Sequence, residues 1–164
     1  MYPLRLPYKK VRSRLKNLIK DGYSSEALVT SMFTVERILR RTLIQLIISA
    51  GFTTNQAFRI IARLNGLQAI KEVWTIYDPK NRTLTQILTN TIWQNLRETA
   101  KMRNGMVHGT VTYSQSKCKK KAQEIIDILD IIKEKLYATY GYHGWGGLSK
   151  RRSAVLHVDP KIIL

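Results

Sequence analysis

Acidic residues are few in this sequence: 11 Asp and Glu stand against 28 Lys and Arg in 164 residues, a formal net charge of +17. The imbalance says nothing about fold. It favours polyanionic partners, nucleic acid above all, with binding that weakens steeply as salt rises. It also leaves little material for carboxylate chemistry, and no paired carboxylates, Walker loop or metal-ligand cluster can be picked out. The single cysteine, Cys118, excludes an intrachain disulfide and a cysteine-based zinc site. A reducing, cytoplasmic setting is the expectation that follows. Long apolar runs are missing as well: the longest, from Leu43 to Ala50, is interrupted by Gln45 and stops at Gly51, far short of the ~20 residues that cross a bilayer. The first residues carry Pro3 and Pro7 and no apolar core, so no secretory signal is expected. Neither a membrane nor a cofactor is expected as a partner, and no residue is assigned to a metal.

What is present reads as helix. The length suits one domain able to bury its own core. Residues 8–20 form a basic amphipathic helix, with Val11, Leu15, Leu18 and Ile19 on one face, ended by Asp21-Gly22. Ser24 or Ser25 is positioned to cap a long helix whose stripe runs Leu28, Met32, Val35, Leu39, Leu43, Leu46 and Ala50. Thr53 or Thr54 opens a shorter helix with Ala57, Phe58, Ile61 and Leu64, and a further short one covers 67–77 before Asp78-Pro79. A second long helix is predicted from Thr83 through Leu96 and Thr99 to Arg103, a loop over 104–115, and a last helix from Ser114 or Ser116 to Gly141. The expected architecture is an all-α helical bundle of long helices with one or two short bridging helices. Residues 1–141 form the domain, including the basic N-terminal helix, and 142–164 form a basic tail or arm. Within that tail, residues 154–158 have the composition of one short strand.

Arg103-Asn104-Gly105-Met106-Val107-His108-Gly109 brings a guanidinium, an amide and an imidazole together where the helical pattern breaks down. Arg103 lies four residues beyond Thr99 and seven beyond Leu96, on the inward stripe, where it needs a partner or a cleft. Its spacing to His108 has little weight alone, because Arg152 and His157 repeat it in the tail without a helix end. Glu36 lies beside the core stripe of the first long helix with Arg40 at i+4, and an ordinary helical ion pair is expected there ahead of the alternative, a role in steering Arg103.

With Arg103, the polar Asn104 directly after it, and His108-Gly109 at a helix end, the segment resembles the R-x4-6-H signature of the HEPN superfamily. The resemblance covers roughly residues 24–141. It implies a HEPN-like bundle and a metal-independent endoribonuclease, a toxin or antiviral-defence effector, with Arg103, Asn104 and His108 as catalytic residues. Two motifs facing one cleft are the family's arrangement, so a homodimer is implied, with an antitoxin protein or a regulatory RNA as a further partner. Some family toxins carry a tyrosine two residues after the histidine. Here that place holds Thr110, and the nearest tyrosine is Tyr113.

The chemistry suits the residues: histidine exchanges protons near neutrality, and arginine offers a permanently charged fork to phosphate oxygens. Three basic blocks are expected to hold RNA: Lys9, Lys10, Arg12, Arg14 and Lys16; Lys117, Lys119, Lys120 and Lys121; and Lys150, Arg151 and Arg152. Lysines in a helix's first turn oppose its dipole, which an external anion would compensate, unless that helix begins a turn later. Tyr8, Tyr113, Tyr140, Tyr142 and Trp145 are candidates for stacking on unpaired bases, with Trp145 the best placed for exposure. Trp74, Trp93 and Phe58 fall at core spacing. His143 and His157 read as structural. The alternative to cleavage is a non-catalytic RNA-binding protein of the same fold holding a structured small or ribosomal RNA; a structural dimerisation module would explain the bundle but not the charge.

Overall fold

The segment from Ser24 to Ser49 is apolar around most of its circumference, which no single packing face can satisfy. In the computed structural model, which describes residues 6–156, this helix lies at the centre of the molecule. Seven helices and no strand are found among the described residues: α1 Tyr8–Lys20, α2 Ser24–Ser49, α3 Thr54–Ala62, α4 Gly66–Tyr77, α5 Leu84–Leu88, α6 Asn90–Val107 and α7 Gln115–Tyr140. α2 packs against α1, α3, α4, α6 and, most extensively, α7. The α7 side of the core is Ile125, Ile126, Leu129, Ile132 and Leu136, all fully buried. At about 1.5–3 kcal/mol per buried branched side chain, this α2–α7 seam is the main source of stability.

Local chemistry sets the helix ends. Thr53 and Gln56 form a capping box at α3, as do Thr83 and Gln86 at α5. Ser114 caps α7, and Gly141, at φ 66°, ends it in the left-handed conformation. Neither Ser24 nor Ser25 caps α2: Ser24 is already helical and buried, and the N-cap is Tyr23, whose side chain makes no capping bond.

Two expectations fail between residues 83 and 108. The long helix predicted from Thr83 is broken at Thr89, which takes φ 77° and ψ 153° and caps α6 through its hydroxyl instead. No glycine marks the break. Further on, α6 runs through Asn104 and Gly105 to Val107, one turn beyond the predicted loop start. The chain then folds back, and the amides of Thr110 and Val111 donate to the Gly105 carbonyl at 2.9 and 3.2 Å. A Cβ at residue 105 would lie 3.3 Å from the Val111 Cβ. Gly105 serves that close return and does not stop the helix.

The tail is not a free arm over its described length. Arg41 donates to the carbonyls of Gly144 and Gly146 at 2.8 and 2.7 Å. The backbones of Thr54 and Arg151 pair at 3.0 Å, and Val155 N–H reaches Gly51 O at 2.8 Å. No strand forms over 154–156, and the remainder of the expected strand lies outside the described residues, as does His157 of the second arginine–histidine match. Trp145 is docked: its ring meets Tyr8 edge-on at 5.3 Å, the Arg37 guanidinium lies 4.8 Å from its centroid, and its indole N–H donates to Leu6 O. Phe58, expected in the core, is 48% exposed, whereas Trp74 and Trp93 are buried.

Candidate functional site

A second, smaller apolar cluster closes one end of the bundle. Ala27 and Leu28 of α2, Met102 of α6, and Cys118 and Ala122 of α7 form its buried part, with Leu18, Ile19, Met106 and Tyr113 packed against it. The end of α1, the start of α2, the end of α6 and the start of α7 therefore converge. Burial pushes the Cys118 thiol above its ordinary pKa, with the Glu26 carboxylate adding to the shift, so it behaves as a packed apolar group.

Arg103 lies on the inward side of α6, as the stripe required. Its Nη2 donates to Glu36 Oε1 on α2, and the two side chains are only 15% and 12% exposed. The guanidinium lies 5.1 Å from the centroid of the Phe33 ring, one turn earlier on α2. Nε is buried without an acceptor, and the hydrogen bond of the guanidinium to a described residue is the one from Nη2. One edge of the guanidinium is thus fixed. The expected Glu36–Arg40 pair does not form, because Arg40 donates instead to Ile61 O and Leu64 O at 3.1 and 2.7 Å, satisfying carbonyls at the end of α3. Glu36 is the site residue that local helical spacing assigned to the wrong partner.

His108 is the C-cap of α6, its amide donating to Asn104 O at 3.0 Å. Its imidazole is exposed and makes no hydrogen bond to a described residue. Asn104 also points to solvent, from the last helical turn and not from the loop where it was expected. Val107, next to the histidine in the chain, and Val111, which folds back on Gly105, are 54% and 43% exposed. Among the described residues no group of three His, Cys, Asp or Glu side chains gathers, and no helix is long and apolar enough to cross a membrane.

The three basic blocks separate. Lys9, Lys10, Arg14 and Lys16 are exposed along α1, but Arg12 turns inward to Asp130 at 2.6 Å. Lys117, Lys119 and Lys120 are exposed at the start of α7, whereas Lys121 is held by Glu124 at 2.9 Å and Glu98 at 3.3 Å. Because α7 starts at Gln115, Lys117 does stand in its first turn, its ammonium 4.9 Å from the centroid of Tyr113. Lys150, Arg151 and Arg152 follow the tail to the far end of α2. At about 1.5 Å per residue, Glu36 and Ser49 are already roughly 20 Å apart along that helix, so this block does not flank Arg103 as its sequence position suggested.

Most of the candidate stacking rings are engaged internally. The Tyr8 hydroxyl donates to Asp130 at 2.6 Å, and burial together with that bond raises its pKa. The Tyr140 hydroxyl donates to Asp78 at 2.6 Å and accepts from the Trp74 indole at 2.9 Å. Tyr142 lies against His143, whose pKa is lowered by burial and by the Lys133 ammonium. Burial alone would raise the Asp78 carboxyl, but hydrogen bonds from Arg82, Tyr140 and the amides of Arg82 and Lys80 bring it down to about 2. Tyr23, 56% exposed beside the basic face of α1, is an open ring that the sequence did not single out. No protein-family model, curated protein or solved structure matches this chain.

Proposed function

We propose that this chain is a metal-independent endoribonuclease with a HEPN-like arrangement, completed by a second copy of itself and acting as a toxin or antiviral-defence effector. The observation that carries the reading is the pairing of a fixed Arg103 with an uncommitted His108. Glu36 and Phe33 hold the arginine, and five residues on the imidazole is exposed, next in the chain to the exposed Val107.

Cleavage by the ribose needs a base to take the 2′-OH proton and an acid to protonate the departing 5′-oxygen. The 2′-oxygen attacks phosphorus, the P–O5′ bond breaks, and the products are a 2′,3′-cyclic phosphate and a 5′-hydroxyl. One histidine does not readily act as both base and acid in the same displacement, whereas His108 from each of two subunits supplies both. Arg103 places positive charge on the phosphoryl oxygens as negative charge builds in the transition state. Asn104 offers its amide to a phosphate oxygen or to the imidazole. Val107 and Val111 give the second subunit apolar surface to cover beside the reacting groups. An antitoxin protein or a regulatory RNA covering that face would hold the enzyme silent.

A second reading has its own support. The charge of Arg103 is already compensated by Glu36, and nothing among the described residues orients His108. Those features equally suit a non-catalytic protein that holds a structured RNA on its basic surface. Incubation of labelled RNA with the wild type, Arg103→Ala and His108→Ala in EDTA separates the two. The nuclease reading expects cyclic-phosphate ends from the wild type, cleavage lost by at least about a hundredfold in either variant, and RNA binding retained. Binding without cleavage by any form refutes it in favour of the second reading.

A further inference from the structure

Along α1 and the turn into α2 runs an open groove of about 570 Å³. One end is lined by Lys9, Lys10 and Arg14, the other by Asn17, Asp21 and Tyr23. The two ends differ in chemistry. The first offers three cations and no carboxylate. The second offers an amide, a carboxylate and an open aromatic ring, which together suit the edge and face of a nucleobase better than a phosphate. Lys10 and Asp21 lie about 16 Å apart along the helix axis, room for a few nucleotides of extended strand.

We infer that this groove is a single-stranded RNA subsite, with phosphates on Lys9, Lys10 and Arg14 and an unpaired base stacked on Tyr23, its edge met by Asn17 and Asp21. A duplex keeps its bases stacked and its edges paired, so it cannot use the Tyr23 end. Arg12 takes no part, since it is committed to Asp130. Leu18 lines the groove and also packs against the apolar cluster that carries Met106, between Arg103 and His108. The groove and the end of α6 thus lie over the same apolar cluster. The inference rests on the RNA-cleaving reading for its substrate class and adds strandedness and a stacking residue.

The test uses the full chain with a fluorescein-labelled 2′-O-methyl oligouridine, which lacks the 2′-OH and cannot be cut by ribose attack, and a fully paired 2′-O-methyl hairpin of equal charge whose loop is a non-nucleotide linker. Tyr23→Ala is expected to weaken single-strand binding about tenfold, the scale of one stacked base, while Tyr23→Phe stays within about twofold and the hairpin affinity does not move. Lys10→Gln with Arg14→Gln should lower the slope of log affinity against log salt by about one to two. Unfolding midpoints identify any variant that misfolds. Equal affinities for Tyr23→Ala and Tyr23→Phe, or an equal loss on the hairpin, overturn the subsite. If RNA is still cleaved by the wild type in that event, the nuclease reading stands without it; Tyr23-dependent binding with no cleavage of ordinary RNA leaves the subsite and removes the nuclease.

Discussion

Replacing Glu36 by Ala tests whether Arg103 is held by its partner or only adjacent to it. The two side chains are 15% and 12% exposed, and the Arg103 Nε is already buried without an acceptor, so loss of the carboxylate strands a largely desolvated cation. Breaking a fully buried pair costs about 3–5 kcal/mol, and residual solvent access here places the expected loss near about 2–3 kcal/mol. For a chain of this size each kcal/mol moves the thermal midpoint by about 2–4 °C, giving a fall of roughly 5–10 °C. Far-UV circular dichroism melts at fixed salt measure it. Glu36→Gln keeps an acceptor and should lose less than half as much, and the double replacement Glu36→Leu with Arg103→Met should recover most of the stability, because neither charge is then left alone. If Glu36→Ala melts within about 1 °C of the wild type, the pair does not hold the arginine and the reasoning fails. In the RNA assay, Glu36→Gln should lower kcat with little change in KM, the mark of a residue that positions Arg103 and does not bind substrate.

Asp78 sets an acid limit. Its folded pKa of about 2 lies below the ordinary value of 3.8, so its stabilisation is complete above about pH 4 and is lost as pH falls toward 2. The amount is about 2 kcal/mol, and Asp78→Asn should flatten the acid side of a stability–pH curve. Gly144 has φ 75°, and a Cβ there would run into the backbone of Ile38. Gly144→Ala should therefore cost more than about 2 kcal/mol and raise amide exchange in residues 142–156 before other segments. Thr89, a β-branched residue at φ 77° and ψ 153°, is strained. Thr89→Gly should gain about 1 kcal/mol in chemical denaturation, since glycine gives up only a few tenths as a cap; a loss would show that the hydroxyl matters more than the backbone.

The parts of the fold that the sequence shows are those fixed by local chemistry. The periodicity of α1, the Thr53–Gln56 box and the left-handed Gly141 all lie where pattern and capping rules put them. What escapes the sequence depends on distant atoms. Thr89 breaks the helix with no turn residue to announce it, and Gly105 looks like a helix stop until Val111 is seen folding back on it. Glu36 has Arg40 at the favoured helical spacing, yet the α3 carbonyls claim Arg40 and leave the carboxylate to Arg103. Trp145 lies among glycines, which suggests exposure, but those glycines let the tail approach α2 closely enough to bury part of the ring. Within the candidate site, the inward placement of Arg103 is legible from the stripe, whereas its partner Glu36 is legible only as the less favoured alternative to a local pair with Arg40.

The central place of α2 bears on how the protein is made. Its first partner, α1, precedes α2 in the chain, but its most extensive partner, α7, is the last of the described helices to be made. At about 5–20 residues per second, α2 waits several seconds with its α7-facing side chains uncovered. A growing chain therefore displays one of its most apolar segments throughout the interval between α2 and α7, and its yield in cells should depend on chaperones that shield a single long helix until α7 arrives.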